Sequence, residues 1–172
     1  VLDLLESDPS AEVRASAARL FVTAPLDVAL SGLSALAEDE EWFVRLRAIV
    51  ALGQLQHRSA IPALVKGLCD QHRFVRLRAA RGLATMEQHL MEVLDLVEQS
   101  GDRYGMQALL SELEISGVVL RHVERLATPG PVRDEAELLL QRVIGLGIRR
   151  LVVSSLLSHD NAQIRGRLAL VL

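Results

Sequence analysis

At 172 residues, half of them apolar and only 3% aromatic, the chain is long enough for a core but must build it from Leu, Val and Ala, which argues against disorder and against a sheet sandwich. A formal net charge of -3 excludes a global pull towards nucleic acid or acidic lipid. The single cysteine, Cys69, excludes an internal disulfide, and no apolar run approaches the roughly 18 residues that span a bilayer.

Residues 1–7 read as the end of a helix whose beginning is missing. With no initiator Met and no basic leader, the sequence is expected to be a fragment of a longer chain. Asp8, Pro9 and Ser10 supply cap chemistry for the next helix, in which Val13, Ala17, Leu20 and Phe21 recur at helical spacing. Thr23, Ala24 and Pro25 end it. Pro25 then opens a helix through Val28, Ala29, Leu33 and Leu36 to Glu38. Asp39, Glu40 and Glu41 place negative charge at the start of the following helix, Trp42 to Leu55, where the dipole favours it. Ser59 and Pro62 begin a helix through Leu64, Val65 and Leu68, Asp70 marks a turn, and Phe74 to Met86 forms the antiparallel partner.

The second half keeps the same alternation less strictly. His89 to Gln99 is a helix and Ser100, Gly101 and Asp102 a turn. Met106 then stands where Val75 stood, with Leu110 and Leu113 beneath it and Tyr104 as the other reading of that register. Ile115 to Ala127 forms the next helix before the break at Thr128, Pro129, Gly130 and Pro131. Val132, Ala136, Leu139 and Leu140 resume the stripe. A helix from Ile148 to Leu157, a turn at His159, Asp160 and Asn161, and a last helix carrying Ile164, Leu168 and Leu172 complete the chain.

One segment recurs through this series. Phe43 to Ala48 (FVRLRA) returns as Phe74 to Ala79 (FVRLRA), and Val13 to Ala18 (VRASAA) matches it at the same interval on the other side, so that Val13, Val44 and Val75 are evenly spaced. A fixed period of about 30 residues signals units that bury an apolar face only by stacking on their neighbours. Openings at Val13, Val44, Val75, Met106, Val132 and Ile164 mark about six helical hairpins, the first and last incomplete. The expected architecture is an all-α solenoid, one domain over 1–172.

In the first three units an aspartate precedes the signature arginine by six residues: Asp8 with Arg14, Asp39 with Arg45, Asp70 with Arg76. This array resembles HEAT repeats, and the short period with Val-Arg-x-x-Ala resembles the bacterial-type subclass found in phycobilin lyases. The resemblance implies that turn Asp and helix Arg form a structural ladder linking successive repeats, and that the second helix of each pair lines a concave surface. The spacing loosens to five at Asp160 with Arg165, and the pattern breaks at Gln107 and at Thr128 with Arg133.

On a helical wheel with Val44 or Val75 at the centre of the buried arc, Ala48, Ala51 and Leu52, or Ala79, Gly82 and Leu83, lie beside it. Leu46 and Val50, and likewise Leu77 and Arg81, fall opposite. Ala15 and Arg19, Asp134 and Leu138, and Gly166 and Leu170 occupy the matching positions. An exposed strip holding Leu46, Val50, Leu77 and Leu138 is not needed for folding and points to a binding groove. The expected function is therefore a noncatalytic protein–protein interaction scaffold that takes a peptide, a helix or a neighbouring domain of its own chain. Leu46, Val50, Leu77 and Arg81 are placed in the groove, Arg47 and Arg78 supply charge beside it, and Trp42 stands at its rim. Phe43 and Phe74 are expected to staple helix starts onto the preceding turns.

Charge patterning offers a second reading. Residues 43–81 carry eight basic residues against one acid, Asp70, and residues 82–124 carry eight acids against Arg103 and Arg121. HEAT-like glycosylases grip duplex backbones, so nucleic-acid contact through 43–81 is the alternative, and a bilin lyase-like activity follows from the subclass resemblance alone. Catalytic constellations are missing. His57, His72, His89, His122 and His159 are not spaced by four and none precedes Glu, so the His-Glu pairs that hold iron in HEAT-type deoxyhypusine hydroxylase do not occur. Cys69 has no histidine at dyad spacing, and Gly145 and Gly147 lack the lysine and hydroxyl of a phosphate loop. The sequence thus leads to an expectation of no enzyme activity, no metal and no cofactor, and of a cytoplasmic location.

Overall fold

The computed structural model describes Leu5 and residues 7–172. The helix end read over residues 1–7 falls, Leu5 and Ser7 apart, outside the described residues. Among the described residues every regular element is helical. They are α1 (Ala11–Phe21), α2 (Leu26–Leu36), α3 (Trp42–Leu55), α4 (Ile61–Leu68), α5 (Arg73–Ala84), α6 (Leu90–Ser100), α7 (Arg103–Ile115), α8 (Val118–Arg125), α9 (Pro131–Leu146), α10 (Arg149–Ser158) and α11 (Ala162–Val171). One-turn 3-10 helices lead into α4 and α6. The fold class is an all-α solenoid, with two compact units, Val1–Leu109 and Leu110–Leu172.

In the first unit α2 pairs with α3 and α4 with α5, and the second helices α1, α3 and α5 pack side by side. Small residues allow this. Val44, Ala48 and Leu52 of α3 and Val75, Ala79 and Leu83 of α5 are fully buried, as the wheel requires. At the crossing of α3 and α5 a Cβ added to Gly53 would lie 3.1 Å from the Gly82 Cα, and one added to Gly82 would lie 3.2 Å from the Gly53 Cα. Backbone meets backbone there at closer than ordinary contact, so glycine is favoured by contact rather than by torsion. The turns are equally specific. The Asp39 carboxylate accepts the Glu41 amide at 2.9 Å and the Asp70 carboxylate the His72 amide at 2.7 Å, satisfying donors at the entrances of α3 and α5. α3 ends on Gln56, held in the left-handed region (φ 49°) while its amide donates to the Gly53 carbonyl at 2.6 Å.

The second unit pairs α8 with α9 and α10 with α11. Its core holds Val118, Val119 and Val123 against Ala136, Leu139, Leu140 and Val143, together with Val152, Ile164 and Leu168. Pro131 occupies the first turn of α9 behind Gly130 at φ 91°, and the Asn161 side chain caps α11 by accepting the Gln163 and Ile164 amides.

Five expectations require correction. Leu20 is 51% exposed; Ala17, Ala18 and Phe21 make the inner stripe of α1 instead. Neither Met106 nor Tyr104 takes the place of Val75, because α7 begins at Arg103 and its inward positions are Gly105, Leu109 and Leu113, so that Met106 and Leu110 are only half-buried and Tyr104 is exposed. Ile115 closes α7 rather than opening the next helix, since Gly117 adopts φ 73° and breaks the chain before α8. Val132 is exposed in the first turn of α9, whose buried stripe starts at Ala136. Phe74, expected to staple a helix start, is 56% exposed.

The tight α3–α5 crossing generates a paired test. Gly53→Val is expected to lower unfolding free energy by about 2 kcal/mol, because branched bulk is forced against backbone. Gly145→Ala, with open space around the added Cβ, is expected to raise it by about 0.5 kcal/mol through helix propensity. Urea unfolding of the two variants measures both signs.

Candidate functional site

The signature arginines tie each repeat to the next. Arg14 donates from Nε and Nη2 to the two carboxylate oxygens of Asp39 at 2.6 and 2.9 Å. Arg45 grips Asp70 in the same way at 2.6 and 3.0 Å. In each case the partner lies 25 residues ahead, in the following turn. The aspartate six residues behind gives its backbone carbonyl instead: Arg14 Nη1 donates to the Asp8 carbonyl at 2.9 Å and Arg45 Nη1 to that of Asp39 at 2.8 Å. The ladder between successive repeats is thus made by each arginine with the aspartate of the following turn, and the aspartate six residues behind gives that arginine only its backbone carbonyl. A planar guanidinium can do this because one edge fits a carboxylate while the remaining nitrogen is free for a carbonyl.

Arg76 repeats half of this arrangement. Its Nη1 donates to the Asp70 and Gln71 carbonyls at 2.7 and 3.0 Å, and its Cζ lies 5.9 Å from the Tyr104 ring centre. Asp102 does not receive it. That residue falls one position later than the even spacing of Asp8, Asp39 and Asp70 would place it, and its carboxylate caps α7 by accepting the Gly105 amide at 2.7 Å. In the second unit Arg165 donates to the His159 and Asp160 carbonyls at 2.7 and 2.9 Å, and Arg133 to that of Leu126 at 3.1 Å.

Burial raises the affinity of Asp39 for a proton, but the hydrogen bonds from Arg14 and the Glu41 amide outweigh it and hold the carboxyl below the usual carboxylate range. Asp70 is likewise lowered, against its burial, by Arg45 and the His72 amide. The same hydrogen bonds hold Arg14 and Arg45 above the ordinary arginine value.

A cavity of about 620 Å³ opens along the second helices of the first unit. Its floor is Leu46 and Val50 of α3 with Phe43, and its walls are Glu12, Ala15, Ser16 and Arg19 of α1, Trp42 and Arg47 of α3, and Arg78 of α5. A second cavity of about 380 Å³ shares Val50 and Arg78 with it and continues past Gln56, Arg81, Gly82 and Thr85. The structure thus brings Trp42, Leu46, Arg47, Val50, Arg78 and Arg81 to one continuous hollow. Leu77, 39% exposed, lines neither cavity. Leu138 and Leu170, 54% and 73% exposed, belong to the second unit.

Sequence reasoning missed His72. Its ring stacks on Trp42 with centroids 3.9 Å apart and planes 12° apart, and Phe74 stands 6.4 Å from the same indole. The signal was the neighbourhood of Trp42 one repeat on, where His72 precedes Phe74. Trp42 is consequently a supported platform, 38% exposed. Elsewhere, buried His122 is neutral by its bonding: Nδ1 lies 2.9 Å from the Val118 carbonyl and must donate, leaving Nε2 to accept from Arg125 at 2.9 Å. Among the described residues no three His, Cys, Asp or Glu side chains converge as a metal site, and no helix is long and apolar enough to cross a membrane.

The family of HEAT repeats matches residues 1–84 and 30–105. No curated protein matches the chain. Among solved structures, an engineered protein is similar over 99% of this chain and 93% of its own, with a TM-score of 0.52 and 18% identity. A chain of the complex of CpcE and CpcF of phycocyanin lyase from Nostoc sp. PCC7120 is similar over 96% of this chain and 73% of its own, with a TM-score of 0.51 and 22% identity. Both likenesses are of fold.

The ladder carries a pH signature. Because the folded-state carboxyls of Asp39 and Asp70 titrate below their unfolded values, their contribution is complete above about pH 4 and is lost as pH falls through the lowered values. Asp70→Asn is expected to cost about 2 kcal/mol at neutral pH and to flatten the fall in stability below about pH 4. Urea midpoints measured across that window for the parent and the variant check both effects.

Proposed function

Because the chain belongs to the HEAT-repeat family, we propose that it is a noncatalytic protein-interaction module that binds a peptide, a helix or a neighbouring domain in the hollow along α1, α3 and α5. Repeat stacks suit this role, since each unit presents one anchor at a fixed interval. The observation that carries the reading is the floor of the 620 Å³ cavity, where Leu46 and Val50 are left half-buried although nothing in the core requires them there. Arg81 extends the lining along α5 while Leu77 lies outside it, and Trp42, braced by His72, stands at the rim. An aromatic platform beside arginines is a common interface anchor.

Nucleic-acid contact through 43–81 draws less support, because part of the basic stretch is already paired with carboxylates. Asp70 binds Arg45, Glu92 binds Arg58 at 2.8 Å and Glu38 binds Lys66 at 2.6 Å. A bilin lyase-like role rests on subclass resemblance alone.

Peptides selected from a displayed random library against the chain provide the test. Binding is expected to fall at least about tenfold in Val50→Asp and in Leu46→Asp, with circular dichroism and melting close to the parent, and to be unchanged in Leu157→Asp on the second unit. Selected peptides that ignore both groove substitutions contradict the proposed function.

A further inference from the structure

The charge around the hollow identifies the chemistry of its occupant. Arg19 of α1, Arg47 of α3 and Arg78 of α5 come from three helices to one cavity, and each is exposed. None of the three has a hydrogen bond or ion pair among the described residues, in contrast to Arg14, Arg45, Arg58 and Lys66, each of which is held by a carboxylate. Among the described residues that line the cavity the one acid is Glu12, and its carboxylate accepts from the Ser10 hydroxyl at 3.0 Å. The lining therefore carries three positive charges against one negative, for a balance of +2. Gathering like charges at an apolar floor without counter-charges raises the local potential and opposes folding slightly, and that potential is available to a ligand of opposite sign.

We propose that the groove takes an acidic segment of a partner protein, with an apolar side chain seated on Leu46 and Val50 and carboxylates meeting Arg19, Arg47 and Arg78. The inference rests on the reading of this hollow as an interaction surface and adds the sign and polarity of what fills it. Carboxylates fit because a guanidinium presents paired donors to them. The apolar floor requires more than charge. A phosphate polyanion would satisfy the arginines yet leave Leu46, Val50 and the Trp42 face against water, and three other cations of the basic stretch, Arg45, Arg58 and Lys66, are already paired with carboxylates. An acidic peptide with one bulky apolar residue satisfies both demands at once. The interval also fits, because Arg47 and Arg78 occupy the same place in successive copies of the FVRLRA segment, and so present equivalent anchors one repeat step apart.

The test pans a displayed library of random peptides on the 172-residue chain at low salt. The enriched peptides are then remade with every Asp and Glu changed to Asn or Gln. Enrichment in Asp and Glu around an apolar residue is expected. The amide versions are expected to bind about tenfold or more weakly, with the gap narrowing as salt rises. The double variant Arg47→Glu, Arg78→Glu is expected to lose the acidic class while melting like the parent, since both side chains are exposed and make no contact that folding uses. Neutral or basic peptides whose binding depends on Val50 overturn the acidic partner and leave the interaction reading standing. Peptides indifferent to Val50→Asp bring down that reading and this inference with it. Displacement of the acidic peptides by a DNA duplex at equal concentration overturns the choice of protein over phosphate.

Discussion

Close approach between the second helices of successive repeats is the constraint on which the first unit depends. Alanines at 48 and 79 and glycines at 53 and 82 keep the contact layer thin, and a single added carbon at either glycine meets backbone. Helices separated by leucines would lie further apart. Arg14 and Arg45 could not then reach the turn of the next repeat at 2.6 Å, and the floor of the groove would split into isolated pits. Small residues in the layer thus determine both the ladder and the hollow.

The ladder works as a gauge of register. Where the turns keep the even spacing of Asp8, Asp39 and Asp70, the guanidinium finds the next carboxylate and the neighbouring amide holds that carboxylate in place. One additional residue before Asp102 redirects its carboxylate to the Gly105 amide, and Arg76 keeps only its carbonyls and the Tyr104 ring. The buried stripe of α7 moves the other way, to Gly105 in place of Met106, and continues through Leu109 and Leu113. A partly buried ion pair of this kind is sensitive to a displacement of one residue because both partners lose solvent and need defined geometry in return.

Charge is divided by function across the first unit. Arg14 and Arg45 serve the fold, and the hydrogen bonds they donate hold the carboxyls of Asp39 and Asp70 below the usual carboxylate range. Arg19, Arg47 and Arg78, without such partners among the described residues, come together at the apolar hollow. Trp42 and His72 stack at one end of that hollow, in a chain where aromatics are otherwise scarce. The net charge of the whole chain gives no hint of this separation.

The sequence by itself determined the helical class, the period and most of the inner face of the first unit, because an evenly spaced repeat and a wheel with valine and alanine on one side admit few arrangements. It placed Val44, Ala48, Val75 and Ala79 inside, and grouped Leu46, Val50 and Arg19 on one arc. Tertiary structure decided which aspartate each arginine takes, since spacing along the chain measures distance within a unit and not across the gap to the next. It also decided the fate of Met106, Val132 and Phe74, whose burial depends on where a neighbouring helix begins, and it brought His72 beneath Trp42. Those outcomes turn on contacts between residues a whole repeat or nearly so apart in the chain, and a helical period carries no information about them.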